Sequence, residues 1–92
     1  MVIVFDPLKN TKNIQERGLS FDRAVDFDWS TAGIAEDTRK DYPEPRFVAV
    51  GHLDGRLHVL CFTPHTGGIR VISFRKANSR EAKKHGKPIT ID

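Results

Sequence analysis

Residues 54 and 55 read Asp-Gly, and two β-rich runs, 46–53 and 56–63, flank them. A two-residue hairpin turn needs positive φ at both central positions, which Gly adopts freely and Asp tolerates, so this dipeptide sets a hairpin and its register. Pairing across it places Phe47 opposite Phe62 and Ala49 opposite Leu60 on one face. Val48 opposite Cys61 and Val50 opposite Val59 then occupy the other. Both faces are apolar, as in central strands covered by helices on one side and by a second surface or partner on the other. The segment 64–68 reads as the next turn and 69–76 as a third strand of the meander. There Ile69, Val71 and Ser73 alternate with Arg70, Ile72 and Phe74, so Arg70 and Arg75 are expected on opposite faces.

Upstream, 2–5 is β-branched and aromatic and reads as a short strand. Asp6-Pro7 supplies an N-cap acceptor and a residue suited to the first helical position, and Gly18 a left-handed C-cap, so a helix is expected over 7–17. Leu8 and Ile14 are its clearly apolar residues, a thin stripe beside a broad polar face. Ser20 opens a second short helix that ends near Trp29, with Phe21, Ala24, Val25 and Asp28 on one face. A strand is expected over 31–35 and a loop over 36–45, which holds two prolines. Asn78 with Glu81 three residues on is a capping-box variant opening a basic helix to His85, stopped by Gly86 and Pro88. Helices segregated from a mainly antiparallel sheet make this an α+β domain. A chain of 92 residues has room for one such domain, here taken as 1–92 with a loose tail over 87–92.

Hydrophobic residues are 38% and charged residues 29%, with mean hydropathy −0.44, which suits a small globule. The longest apolar runs, such as 2–5 and 47–50, are far short of the roughly 20 residues of a bilayer span, and Asp6 arrives too soon for a signal-peptide core. No membrane association and a cytoplasmic location are therefore expected. The single cysteine, Cys61, forms no internal disulfide. His52, His58, His65 and His85 lack ligand spacing, so neither metal nor cofactor is expected. Charge divides unevenly: residues 1–45 hold six basic and nine acidic side chains, and residues 46–92 nine basic and three acidic. The second half is thus +6 against −3 for the first, which points to a polyanion on the basic half.

The basic run from Arg70 to His85 carries this signal. Arg70 and Arg75 stand on the strand, and Arg80, Lys83 and Lys84 on the following helix. Guanidinium groups bind phosphate through two parallel hydrogen bonds, and Phe74 is an aromatic neighbour suited to stacking a base. Phe5-Asp6-Pro7-Leu8-Lys9-Asn10 with Asn13 and Gly18, then Ser20-Phe21 and Ala24, form one set of motif residues. Ile69-Arg70-Val71-Ile72-Ser73-Phe74-Arg75-Lys76-Ala77 with Glu81 forms a second, more specific one. Together they resemble the BrnT toxins of bacterial type II toxin-antitoxin systems.

The resemblance implies a RelE-like fold, taken as a mainly antiparallel four-stranded sheet with two N-terminal helices and a short C-terminal helix. It also implies a ribonuclease that arrests translation and is neutralised by a BrnA-type antitoxin, a ribbon-helix-helix DNA binder. A 2:2 heterotetramer that binds operator DNA through the antitoxin is the natural assembly. RNA cleavage of this kind needs a base for the ribose 2′-OH, an acid for the leaving oxygen and cations for the phosphorane, and no metal. Arg70 and Arg75 are then charge stabilisers, since arginine does not exchange protons readily. Proton transfer falls to His85, Glu81 or His65. Catalytic residues are thus expected at Arg70, Arg75, Glu81 and His85, and RNA-binding residues at Arg46, Lys76, Arg80, Lys83 and Lys84. The chain departs from the family at Arg17, where His is common, at Phe74, where Ala is frequent, and at His85, where many members carry Tyr. A second reading makes the same basic surface a non-catalytic module that binds RNA or a partner protein.

Overall fold

In a computed structural model, residues 1–91 are described. The Asp-Gly turn forms as the sequence requires, with φ of 50° at Asp54 and 75° at Gly55. It joins β3 (Phe47–Leu53) to β4 (Arg56–His65), and Phe47 pairs with Phe62, Ala49 with Leu60 and Val50 with Val59. Strand β4 runs two residues further than expected, and only Thr66 and Gly67 turn before β5 (Gly68–Lys76). Pro64 is tolerated inside β4 because β3 stops at the Phe47–Phe62 pair, leaving no ladder on that side for a proline to interrupt.

The β4–β5 register shifts between Cys61 and Phe62: Cys61 pairs with Ser73, but Phe62 pairs with Val71. Ile72 is therefore an extra residue, and the bulge reverses the alternation beyond it. Two expectations are corrected. Phe74 points with Val71 and Ile69 into the core instead of away from them, and it is fully buried. Arg75 falls on the same face as Arg70, opposite Val59, where strict alternation would have put it on the other.

The sheet has five strands in the order β1-β5-β4-β3-β2, with β1 (Val2–Val4) parallel to β5 and β2 (Gly33–Glu36) antiparallel to β3. A mixed sheet replaces the expected four antiparallel strands. The reason is connectivity: the chain between β1 and β5 crosses over the sheet before returning to its edge, and such crossovers bring parallel neighbours together. The second N-terminal helix is corrected as well. Of the two N-terminal segments, α1 (Pro7–Arg17) is an α-helix and Phe21–Asp26 is a 3₁₀ helix. Its buried residues Phe21 and Ala24 are three apart, and Phe27 continues the series, a period that suits three residues per turn; Val25 is 56% exposed.

Helix α1 has the expected caps, Asp6 accepting from the Leu8 N–H and Gly18 at φ 65°. The expected apolar stripe is absent: Leu8 is 81% exposed and Ile14 45%. Two asparagines dock the helix instead. Buried Asn13 donates through Nδ2 to the Leu19 carbonyl (2.9 Å) and the Phe74 carbonyl (3.0 Å), and Asn10 Oδ1 accepts from the Phe21 N–H (2.7 Å). Strand β1 pairs only with residues 68–70, so the outer edge of β5 beyond that point is free, and Asn13 satisfies one of its carbonyls.

One sheet face, called here the covered face, packs Leu60, Phe62, Val71 and Phe74 beneath Phe21, Ala24 and Phe27. Gly51 permits this, since a Cβ there would stand 2.7 Å from the Phe27 ring. The opposite face carries a helix at its hairpin end, where α2 (Ser79–His85) lays Ala82 with Ile89 over Val50, Leu57 and Val59. The C-terminal segment lies against the hairpin as far as Ile91, through Leu57 N–H to Ile89 O (2.8 Å) and Ile91 N–H to Gly55 O (2.7 Å). Of the tail expected to be loose, Asp92 lies outside the described residues. No described helix is long and apolar enough to cross a membrane.

Candidate active site

The part of the sheet that α2 leaves uncovered is an open face. By register it presents Val48, Cys61, Thr63, His65, Arg70, Ser73 and Arg75. Residues Arg70 and Arg75 are about 15 Å apart along the strand. They anchor two clusters.

At the Arg75 end, the guanidinium grips Glu81 of α2 in a fork, Nη1 to Oε1 at 2.8 Å and Nη2 to Oε2 at 2.7 Å. Glu81 also accepts from the Asn78 N–H, completing the capping box that starts α2. The Arg75 side-chain hydrogen bonds hold the Glu81 carboxyl down at about 2, and Glu81 in turn raises the Arg75 pKa. A carboxylate so strongly acidified is a poor base, and its geometry is that of a clamp between helix and sheet. His85, one turn further along α2, is close enough to Glu81 to favour its charged form, and is itself exposed. Arg80, Lys83 and Lys84 project from α2 into solvent.

At the Arg70 end lies a cleft of about 640 Å³ between the start of α1, the loop before β3, and the ends of β4 and β5. Lys9, Arg46, His65 and Arg70 line it, with Asp6 and Glu44. Among the described residues, Lys9, Arg46 and Arg70 have no carboxylate within ion-pair distance. The Arg46 guanidinium lies over the Tyr42 ring, 4.3 Å from its centroid, a cation–π contact that holds it beside the cleft. Thr63 Oγ1 donates to the Pro45 carbonyl (2.6 Å) and approaches Glu44 Oε2 at 3.4 Å, tying the loop to the sheet. Asp37 ties the same loop to itself, accepting from Arg39 and Tyr42, and its pKa is lowered chiefly by Arg39.

Three unpaired cations around a concave surface, with an imidazole and two carboxylates in the same cleft, suit a phosphodiester and proton transfer at it. A family model described as the ribonuclease toxin BrnT of a type II toxin-antitoxin system matches residues 5–81. The chain belongs to the BrnT family. No curated protein matches it. The match spans Lys9, Glu44, Arg46, His65, Arg70, Arg75 and Glu81 and ends before Lys83, Lys84 and His85.

The structure thus brings together only some of the residues that sequence singles out in this BrnT chain. Arg46 and Arg70 share the cleft with His65, while Arg75, Glu81 and His85 form the second cluster. Lys76 lies on the covered face, paired with His58. Lys9 and Glu44 also belong to the cleft, though neither is among the site residues expected from sequence. Lys9 stands in the N-terminal motif, but Glu44 sits in an aperiodic polar loop and carries no sequence signal. Among the described residues no three His, Cys, Asp or Glu side chains converge as a metal site would require.

Proposed function

We propose that this chain cleaves RNA in the cleft beneath Arg70, using only side-chain chemistry. The carrying observation is the convergence of Lys9, Arg46, Arg70 and His65 on one concave surface. Arg70 and Arg46 stabilise the charge that accumulates on the phosphorane, and Lys9 holds a neighbouring phosphate. His65 moves the proton of the 2′-OH or of the leaving 5′ oxygen, with Glu44 as its counterpart in the same cleft. Among His65, Glu81 and His85, His65 is the one on the open face beside Arg70. Glu81 is engaged by Arg75 and becomes a positioning residue, and His85 belongs to the distant cluster. Arg75, clamped by Glu81, fixes α2 against the sheet, and Arg80, Lys83 and Lys84 extend a basic rim along α2 that attracts the RNA backbone.

In the cell, such cleavage in the cytoplasm arrests translation. A BrnA-type antitoxin neutralises it by covering the open face, in a 2:2 assembly whose antitoxin half binds operator DNA. Induction of the chain alone in bacteria, with mapping of transcript 5′ ends, tests this reading. Growth arrest with new 5′ ends, absent in His65→Ala and Arg70→Ala variants, is expected. Normal growth with intact transcripts, from folded soluble protein, would leave the chain a binding module.

A further inference from the structure

A second basic cleft, of about 560 Å³, opens on the covered face at the hairpin end of the sheet. Arg17, Arg23, Asp54, Arg56, His58 and Lys76 line it. Arg23 is neutralised there by Asp26 (2.9 Å) and Asp54 (2.8 Å). Arg56 and Lys76 are not, and Arg17 is paired only loosely. Arg56 is held only by carbonyls, its Nη1 donating to Leu57 (2.7 Å) and Ala77 (3.0 Å), and Arg17 has no carboxylate nearer than Glu16 at 3.9 Å. Lys76 has no ion-pair partner among the described residues.

His58 stands at the floor of this cleft, 4% exposed. Its Nδ1 lies 2.7 Å from the Arg56 carbonyl, and since a carbonyl only accepts, Nδ1 carries the hydrogen. Nε2 has no hydrogen-bond partner among the described residues, yet none of their buried side-chain nitrogens or oxygens is unpaired. Nε2 therefore reaches solvent, and the cleft that His58 lines is the opening. Burial lowers the His58 pKa against the hydrogen bond to the Arg56 carbonyl, which raises it; the charges of Arg56 and Lys76 add to the lowering and that of Asp54 opposes it. An anion seated among these groups offsets Arg56 and Lys76 and lets Nε2 take up a proton and donate to it.

The geometry points to a second phosphate-binding subsite in this cleft, which takes a phosphodiester of the RNA on the face opposite Arg70. The identity of the ligand rests on the ribonuclease reading; the site itself rests on Arg56 and Lys76, which pair with no carboxylate among the described residues, on Arg17, held only loosely by Glu16, and on the open Nε2 of His58. Continuity favours RNA as the occupant. Lys76, at the end of β5 beyond the α1 contact at Phe74, lines this cleft, and Arg80 of α2 follows it after a short turn, so a strand passing the end of β5 meets Lys76 on one side and the basic rim of α2 on the other.

The test is a titration of the ¹⁵N-labelled chain, first with inorganic phosphate and then with a short single-stranded 2′-deoxy oligonucleotide, which lacks the attacking hydroxyl. The His58 Nε2 resonance should move with both probes, and Arg70→Ala should leave its response to phosphate intact. Oligonucleotide affinity against salt should lose about 0.7 of log–log slope in each of Arg17→Ala and Lys76→Ala, one single-strand phosphate contact apiece. A still His58 resonance with unchanged slopes overturns the subsite, and because the wild-type titration needs no variant, a misfolded mutant does not hide that result. An acidic peptide that moves His58 where the oligonucleotide does not overturns the assignment to RNA. If the chain cuts no RNA but His58 responds to the oligonucleotide, the cleavage reading falls and the subsite stands.

Discussion

Replacing Asn13 by Ala should destabilise this fold more than any single truncation of the aliphatic residues of α1. The amide donates to two backbone carbonyls, Leu19 at 2.9 Å and Phe74 at 3.0 Å, and the residue is only 8% exposed. Leaving a buried carbonyl unsatisfied costs about 1–3 kcal/mol, and the partly exposed Leu19 carbonyl recovers some of its loss by binding water, about 1 kcal/mol. The sum is about 2–4 kcal/mol, a large share of the margin by which a small domain is stable. Leu8→Ala, at a position 81% exposed, should stay within about 0.5 kcal/mol. Urea unfolding monitored by Trp29 fluorescence reads both, with ΔΔG taken from the midpoint at constant slope. An Asn13→Ala cost below about 0.5 kcal/mol, equal to that of Leu8→Ala, would refute the idea that hydrogen bonds rather than apolar burial dock α1 onto β5.

Glu81 gives a pH signature. Its folded pKa of about 2 lies below the usual 4.5, so its stabilisation is fully present above pH 4.5 and is lost as pH falls from there through 2. Glu81→Gln should remove about 1 kcal/mol at neutral pH, the pair being partly solvent-screened, and flatten stability between those limits in acid melts. Phe74→Ala, at a fully buried position, should cost about 3–5 kcal/mol in the same unfolding assay, since Phe74 fills the core that the bulge at Ile72 aims it into. Arg70→Lys keeps the charge but loses the planar fork, so cleavage at saturating RNA should fall at least about tenfold while binding changes little; wild-type rates would show that Arg70 makes no bidentate contact to the reacting phosphate.

The elements fixed by local chemistry were legible in the sequence. Asp54-Gly55 dictated the hairpin and its register, Asp6-Pro7 and Gly18 the ends of α1, and Asn78 with Glu81 the start of α2. What escaped depended on partners distant in sequence. Leu8 and Ile14 looked like the buried side of α1 because nothing local shows that Asn13 finds a carbonyl 61 residues away. The bulge at Ile72 has no glycine or proline to mark it, yet it reverses the facing of Phe74 and brings Arg70 and Arg75 to one face. Half of the cleft was legible for the same reason: Arg46 and Arg70 sit in patterned strand segments, while Glu44 is brought in by an aperiodic loop pinned through Thr63. Glu81 in the basic run suggests a chemical group, but its fork to Arg75 forms only once α2 folds back on the sheet.

Single-turnover cleavage of a labelled RNA by the purified chain, in excess chelator, tests the central claim most directly. The account predicts strand scission leaving a 2′,3′-cyclic phosphate and a 5′-hydroxyl, with the rate reduced at least about a hundredfold in His65→Ala, the scale of a lost proton-transfer group. Intact RNA, or scission whose rate is indifferent to both His65 and Arg70, would contradict it.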